Sequence, residues 1–302
     1  MLERGVVGAT STLIHNKKAQ GMADIVTLIP DIHKLLEEGK EGVNEKHLKE
    51  FFNALRDDIA IFLSSEKRED KSNLRMSSIG KGDRKLWYEI NKGVQKEFDG
   101  QTRLKFFFGN LVESFLLFLV QESGHLVTDR QKEVVVNGIK GHIDCKIDGI
   151  MVDVKSASDF SFKKFKNNTL HVDDPFGYVA QLSGYIQAEG GDNGYFLAYN
   201  KNNADMTLLE LDELTMIDAG KRINDLKKLV KSKQIPDKCY EDVPDGKQGN
   251  RILDKNCFYC DYKIECWQDA NKGKGLRVFS YANGPVYFTH VEKAPRVEEL
   301  KG

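Results

Sequence analysis

The stretch that decides the fold is GHIDCKIDGIMVDVKSAS, residues 141–158. Apolar and polar residues alternate through it, and Asp148-Gly149 interrupts the alternation as a hairpin turn does. Side chains alternate across a strand, so Asp153 and Lys155 leave the second strand on one face, and His142 and Asp144 share a face of the first. Pairing across the turn gathers Asp144, Asp153 and Lys155 into one cluster. Isolated charges on half-buried strands are costly unless paired or bound to metal. Hard oxygen ligands suit Mg²⁺ or Mn²⁺. The competing reading is a surface hairpin whose Asp–Lys pair faces water, the usual fate of charged strand positions.

Around this stretch, helical and strand patterns follow in order. Residues 1–21 lack a period and suggest a loose arm. From Ala23 to Glu66, Ile32, Leu35, Leu36, Leu48, Phe51, Phe52, Leu55 and Ile59 recur at helical spacing, with EEGKEG (37–42) separating two helices. REDKSN (68–73) reads as a linker. In LRMSSIGKGDRKLWYEI (74–90), Ser77 or Ser78 is placed to cap a short helix. FFFGNLVESFLLFLVQESG (106–124) is a strongly apolar helix ended by Gly124, and in it Asn110 and Glu113 have the spacing of a capping box. Asn137-Gly138 marks another turn. PFGYVAQLSGYIQAEGG (175–191) reads as a helix, YFLAYN (195–200) and MTLLELD (206–212) as strands, and residues 212–234 as a long amphipathic helix. RVFSY and VYFTHV read as a terminal hairpin. The order implies α/β or α+β architecture. The expected divisions are an N-terminal arm and helices (1–73), a core (74–235) and a cysteine-bearing module with the hairpin (236–302).

The chain has 302 residues, 45 basic and 46 acidic, and a formal net charge of −1. Bulk charge does not point to nucleic acid, so any such signal is local. The longest apolar run, FLLFLV (115–120), is short of a membrane span, and the N-terminus lacks a signal-peptide pattern. The expectation is a soluble, cytoplasmic protein with no membrane partner. Four of the five cysteines lie between 239 and 266, which in a reducing compartment suggests metal binding.

Asp144 with Asp153-Val154-Lys155 resembles the PD-(D/E)xK nuclease core, in its RecB-like and phage exonuclease branch. Five further elements agree in order. FGNLVE (108–113) resembles the helix motif that supplies a metal ligand four residues after a glycine. GHID (141–144) resembles the strand with the first aspartate, and QLSGY (181–185) the QxxxY helix. CFYC (257–260) with Cys266-Trp267 resembles the cysteine cluster of iron–sulfur nucleases, and residues 74–90 the substrate-side segment of phage members.

The resemblance implies a restriction-endonuclease-like core, a central mixed sheet flanked by helices. An N-terminal helical segment and a C-terminal cysteine-bound metal module would flank that core. It implies a Mg²⁺- or Mn²⁺-dependent deoxyribonuclease, an exonuclease acting on linear DNA ends in recombination, replication or host-DNA degradation. The alternatives are a flap or branch endonuclease and a non-catalytic DNA-binding module. Glu113, Asp144, Asp153 and the Val154 carbonyl would hold metal, and Lys155 would position the attacking water. Gln181 and Tyr185 would orient Lys155 or the scissile strand. If phage-encoded, the protein would work in the host cytoplasm. Its partners would be single-stranded or partly single-stranded DNA, with a second copy of the chain or a recombination or single-strand-binding protein as further candidates.

Cys257, Cys260 and Cys266 need a fourth ligand for Zn²⁺ or [4Fe–4S]. Residues 82–83, where iron–sulfur nucleases carry their upstream cysteine, are Gly82 and Asp83. Cys239 is the spare cysteine nearby, as a fourth ligand or a free thiol. Cys145 points away from Asp144, toward the core. Candidate DNA contacts are Arg75, Ser77, Arg84 and Lys85 beside Trp87 and Tyr88, and Lys163, Lys164 and Lys166 after the active strand.

Overall fold

Helices form where apolar residues recur with a helical period. The structure, a computed structural model, describes residues 23–64, 74–93 and 99–300. The expected arm over 1–21 and linker over 68–73 lie outside the described residues. α1 (Leu28–Glu38) stops at Gly39, whose φ of 71° suits glycine. α2 (Glu45–Leu63) starts at Asn44, whose side chain accepts from the Lys46 and His47 N–H groups. A 3₁₀ turn, Met76–Ser78, precedes α3 (Asp83–Asn91), which begins after Gly82. Neither serine caps α3. Ser78 closes the 3₁₀ turn instead, its Oγ donating to the Arg75 carbonyl at 2.8 Å.

α4 (Gly100–Glu122) begins upstream of its apolar run because Asp99 caps it, accepting from Thr102 N at 2.7 Å. Asn110 is therefore mid-helix and caps nothing. Its amide donates to Asp58 Oδ1 at 3.1 Å. The strands follow as β1 (Val127–Thr128), β2 (Glu133–Val136), β3 (Ile139–His142), β4 (Cys145–Ile147) and β5 (Ile150–Ala157). The turns between β2 and β3 and between β4 and β5 have two successive positive φ angles, 46° and 74° at Asn137-Gly138 and 51° and 82° at Asp148-Gly149. Such turns match the twist of paired strands.

Next come α5 (Asp159–Lys166), α6 (Tyr178–Ala188), β6 (Gly194–Asn200), β7 (Met206–Leu211) and α7 (Ala219–Lys231). The helix expected over 212–234 is shorter, because the Asp212 side chain captures the N–H groups of Leu214 and Thr215 in a turn.

Two compact units form among the described residues. The first holds 23–64, 75–79 and 99–223. Its sheet runs β1-β4-β5-β6-β7, with β5 and β6 parallel and the other neighbours antiparallel; β2 and β3 form a separate hairpin. Val152, Val154 and Leu197 join Leu116, Leu117 and Val120 of α4 and Ile32 of α1 in one core. The opposite face meets α5 and α6, where Phe165 packs edge-on to Phe196. The sheet is thus a mixed one flanked by helices, and β5 is buried along both faces over Met151–Val154 because both are covered. By length and composition α4 would suffice to cross a membrane. Here it packs on α1, α2 and β5.

The second unit holds residue 74, 80–93 and 224–300. It contains more than the expected hairpin. β8 (Val243–Asp245), β9 (Asn250–Ile252), β10 (Arg277–Tyr281), β11 (Gly284–His290) and β12 (Glu299–Leu300) form an antiparallel sheet ordered β12-β10-β11-β9-β8. The added strands have two or three residues, too short for alternation to register, and Pro244 sits on edge strand β8, where a missing N–H is tolerated.

Candidate active site

β5 carries the central pair. Cys145 of β4 lies opposite Val152 of β5, so Asp144, one residue before β4, falls beside Asp153. The pairing register thus gathers the carboxylates, although Asp144 is outside any strand and His142 belongs to the β2–β3 hairpin. His142 is exposed and faces Glu133, not the cluster. Cys145 is fully buried on the opposite face, as expected.

Asp153 is 1% exposed, which rules out the solvated hairpin. Lys155 Nζ forms an ion pair with Asp153 Oδ2. Yet neither Asp153 oxygen accepts a hydrogen bond of proper geometry. A buried charge with unfilled acceptor sites costs of the order of several kcal/mol. Burial pushes the Asp144 carboxyl well above the usual carboxylate range, and the Asp153 and Glu113 charges push the same way. Burial raises Glu113 too, with Asp153 adding to it and Lys155 and Arg130 opposing. Burial disfavours the Lys155 ammonium, but Asp153 and Asp144 outweigh this and hold it above the usual lysine range. Glu113, Asp144, Asp153 and Lys155 therefore share one electrostatic neighbourhood.

Gln181 and Tyr185 lie one turn apart on α6, and Gln181 Nε2 donates to Tyr185 Oη at 3.1 Å. Burial pushes the Tyr185 phenol up to about 12, and the Asp153 and Asp144 charges add to it. Gly141 admits this tyrosine, and Gly184 admits Met76 beside it. A Cβ on Gly141 would stand 2.7 Å from Tyr185 Cε1 and 2.6 Å from Met76 Cβ, and one on Gly184 would stand 2.5 Å from Met76 Sδ.

The sequence reading missed two neighbours. Tyr178 lies under Lys155, whose Nζ is 4.9 Å from the ring centroid. Its signal was its place one turn before Gln181 on the same helix. Gln131 Nε2 donates to Glu113 Oε1 at 3.3 Å from a loop residue with φ of 53°, which no periodicity reveals.

The candidate DNA contacts are dispersed. Lys163 is exposed on α5, Lys164 pairs with Asp173 at 2.9 Å, and Lys166 with Asp205 at 2.6 Å. Arg75 and Ser77 are exposed. Arg84 is committed within the second unit, donating to the Pro236 and Cys266 carbonyls at 3.1 and 3.2 Å, and Lys85 is half-buried.

In that unit, burial pushes the Cys257 thiol up to about 12, with Cys260 and Cys266 adding to it. Cys260 and Cys266 are also raised by burial, and both feel Cys239. Cys239 Sγ fills the space beside Gly82, only 2.6 Å from where a Cβ would be. Among the described residues, no set of three or more His, Cys, Asp or Glu side chains is closed tightly enough to hold a metal ion as it stands. The donor chemistry nonetheless fits. Asp153 Oδ1 lacks a hydrogen-bond partner, beside two further carboxylates. The four cysteines lie within electrostatic reach of one another.

No family model matches the chain, and no curated protein matches it. Among solved structures, the crystal structure of SSO0001 is similar at 16% identity and a TM-score of 0.41, over 71% of this chain and 95% of that one. An alkaline exonuclease (LHK-Exo) from Laribacter hongkongensis is similar at 14% identity and a TM-score of 0.36, over 53% of this chain and 85% of that one. LHK-Exo in complex with dAMP gives 14% identity and a TM-score of 0.35 over the same shares. All three scores lie below 0.5.

Proposed function

We propose that the chain is a metal-dependent deoxyribonuclease of the PD-(D/E)xK type, a cytoplasmic exonuclease that hydrolyses phosphodiester bonds at the ends of linear DNA. One observation carries this reading. Asp153 is buried with Oδ1 unpartnered and Oδ2 met by Lys155 alone, within electrostatic reach of Glu113 and Asp144. A structural ion pair would have its remaining acceptor sites filled.

Glu113, Asp144, Asp153 and the Val154 carbonyl would hold Mg²⁺ or Mn²⁺. When bound, such an ion supplies Lewis-acid neutralisation of phosphate charge and lowers the pKa of a water. The protein's own residues do the rest. Lys155, kept cationic by two aspartates, directs its ammonium protons at the attacking water or the phosphate. Tyr178 limits where Lys155 can swing, since its ring lies against Nζ. Gln181 fixes the Tyr185 hydroxyl, which faces the aspartate pair as a neutral donor. Cys239, Cys257, Cys260 and Cys266 would hold a [4Fe–4S] cluster or Zn²⁺ as a staple of the second unit. Phage origin and a role in recombination, replication or host-DNA degradation belong to the same proposal.

The test is incubation with Mg²⁺ and linear DNA labelled at either end, beside closed circular DNA. Loss of terminal label with the circle intact supports the exonuclease. Nicking of the circle would make it an endonuclease, and no hydrolysis of either would leave a binding module.

A further inference from the structure

Phe176 is a large apolar ring left 59% exposed. It stacks on Tyr178, with centroids 5.4 Å apart and planes inclined by 22°. Tyr178 stacks in turn on buried Phe165 at 6.3 Å and touches Lys155 through its ring face. A row of three rings thus runs from the core, past the Lys155 ammonium, to the surface. The outermost ring is rigidly presented. Asp174 accepts from Gly177 N at 2.9 Å and from Val179 N at 2.8 Å, which closes the turn PFG and caps α6. Gly177 completes that turn with φ of 79°, a conformation that favours glycine. α5 adjoins the row and presents exposed Lys163; Lys164, paired with Asp173, stands with its Nζ 5.2 Å from the centroid of exposed Phe160.

Aromatic faces beside cations are how proteins grip unpaired bases whatever their sequence, since every base has a π-face. A ring held by its turn loses little freedom on binding. A base within a duplex is already stacked on its neighbours and cannot use such a face. We propose that Phe176, backed by Tyr178, is a stacking site for an unpaired base of the strand whose phosphate lies at Lys155, so that the preferred substrate class is single-stranded DNA or a frayed end. The proposal rests on the nuclease reading for the identity of that neighbouring phosphate, but its test needs no cleavage.

The experiment uses the full chain in EDTA and a thymidine oligonucleotide ending in 2-aminopurine, alone and annealed to its complement. Stacking on Phe176 quenches the fluorescence of the single strand. Phe176→Ala should bind the single strand about 5- to 150-fold more weakly and lose the quenching. Phe176→Trp should restore both, and duplex affinity should stay constant throughout. Because the ring is exposed, the alanine variant should keep the wild-type circular dichroism spectrum. Unchanged quenching in Phe176→Ala, or an equal loss of duplex binding, overturns the stacking site and leaves the nuclease reading standing. Quenching that depends on Phe176 without any hydrolysis in Mg²⁺ sustains the stacking site and sinks the nuclease reading instead.

Discussion

The Val154 N–H donates to Asp144 Oδ2 at 2.8 Å, tying the residue before β4 to the strand that carries Asp153. The bond keeps two carboxylates adjacent despite their repulsion. Asp144→Asn retains an acceptor for Val154 but removes the charge. We expect it to fold with near-wild-type thermal stability and to cleave about a hundredfold more slowly or worse, as for other losses of a charge-stabilising group. Asp144→Ala should lose both activity and stability. Comparing melting curves and turnover of the two variants separates the roles, and an active Asp144→Asn would remove Asp144 from the site.

Lys155 and Asp153 form a pair that is nearly closed to water, with side chains 17% and 2% exposed. Removing one partner of a buried pair strands the other and costs about 3–5 kcal/mol. Lys155→Met should therefore lower the urea midpoint as well as abolish cleavage, because it leaves three carboxylates facing one another. Asp153→Asn should abolish cleavage with a smaller loss of stability, since Asp144 still faces the Lys155 ammonium and one carboxylate repulsion is removed. Equal denaturation midpoints for Lys155→Met and wild type would show that the ammonium is not needed to hold the carboxylates together.

Hydrolysis should require Mg²⁺ or Mn²⁺, stop in EDTA, and be weak with Ca²⁺, which prefers more ligands and looser geometry than this carboxylate set offers. Metal titration of end-labelled linear DNA cleavage reads this directly. Undiminished cleavage in EDTA refutes it.

Gly141 leaves room for Met76 and Tyr185. A methyl group there meets a Cβ, which cannot swing away, so Gly141→Ala should cost about 1–3 kcal/mol as an overpacked site. Pairing it with Met76→Gly, which removes that Cβ, should recover part of that loss. Strict additivity in the double mutant, measured by chemical denaturation, would contradict the contact.

His125 is buried between two carboxylates, with Nδ1 2.6 Å from Asp148 Oδ2 and Nε2 3.2 Å from Asp31 Oδ2. Burial disfavours its charge, but the Asp148 hydrogen bond and both aspartate charges win and raise its pKa above the ordinary value. A raised folded-state pKa means that the stabilisation is complete below the unfolded value of about 6.5 and is lost as pH rises through the higher folded value. The difference in melting temperature between wild type and His125→Gln should accordingly be largest in mild acid and shrink above neutrality. A difference that grows with pH would reverse the sign.

Protein purified without oxygen should carry a brown [4Fe–4S] centre or stoichiometric Zn²⁺, and Cys257→Ser should lose it. Cys239 occupies the space that Gly82 leaves open. Gly82→Ala should therefore disturb Cys239 and lower metal content, while Cys239→Ser keeps the space and loses only the thiolate. Full metal content in both variants, by elemental analysis, excludes Cys239 as a ligand.

Local pattern by itself determined the elements whose signals lie within a few residues. Asn137-Gly138 and Asp148-Gly149 demand their turns, and strand alternation alone puts Cys145 in the core and Asp153 and Lys155 on one face. Tertiary structure decided what depends on partners distant in the chain. Asn110 caps nothing because Asp99 starts α4 earlier, and the two- and three-residue strands of the second sheet exist only through their neighbours. Gln131 reaches Glu113, Tyr178 lies under Lys155, and Cys239 fills the space at Gly82 through packing across elements that no spacing encodes. The burial of Asp153 is of the same kind. Sequence places the carboxylate on a strand, but only helices on both faces of the sheet take it out of water and leave it with Lys155 as its partner and Oδ1 unfilled.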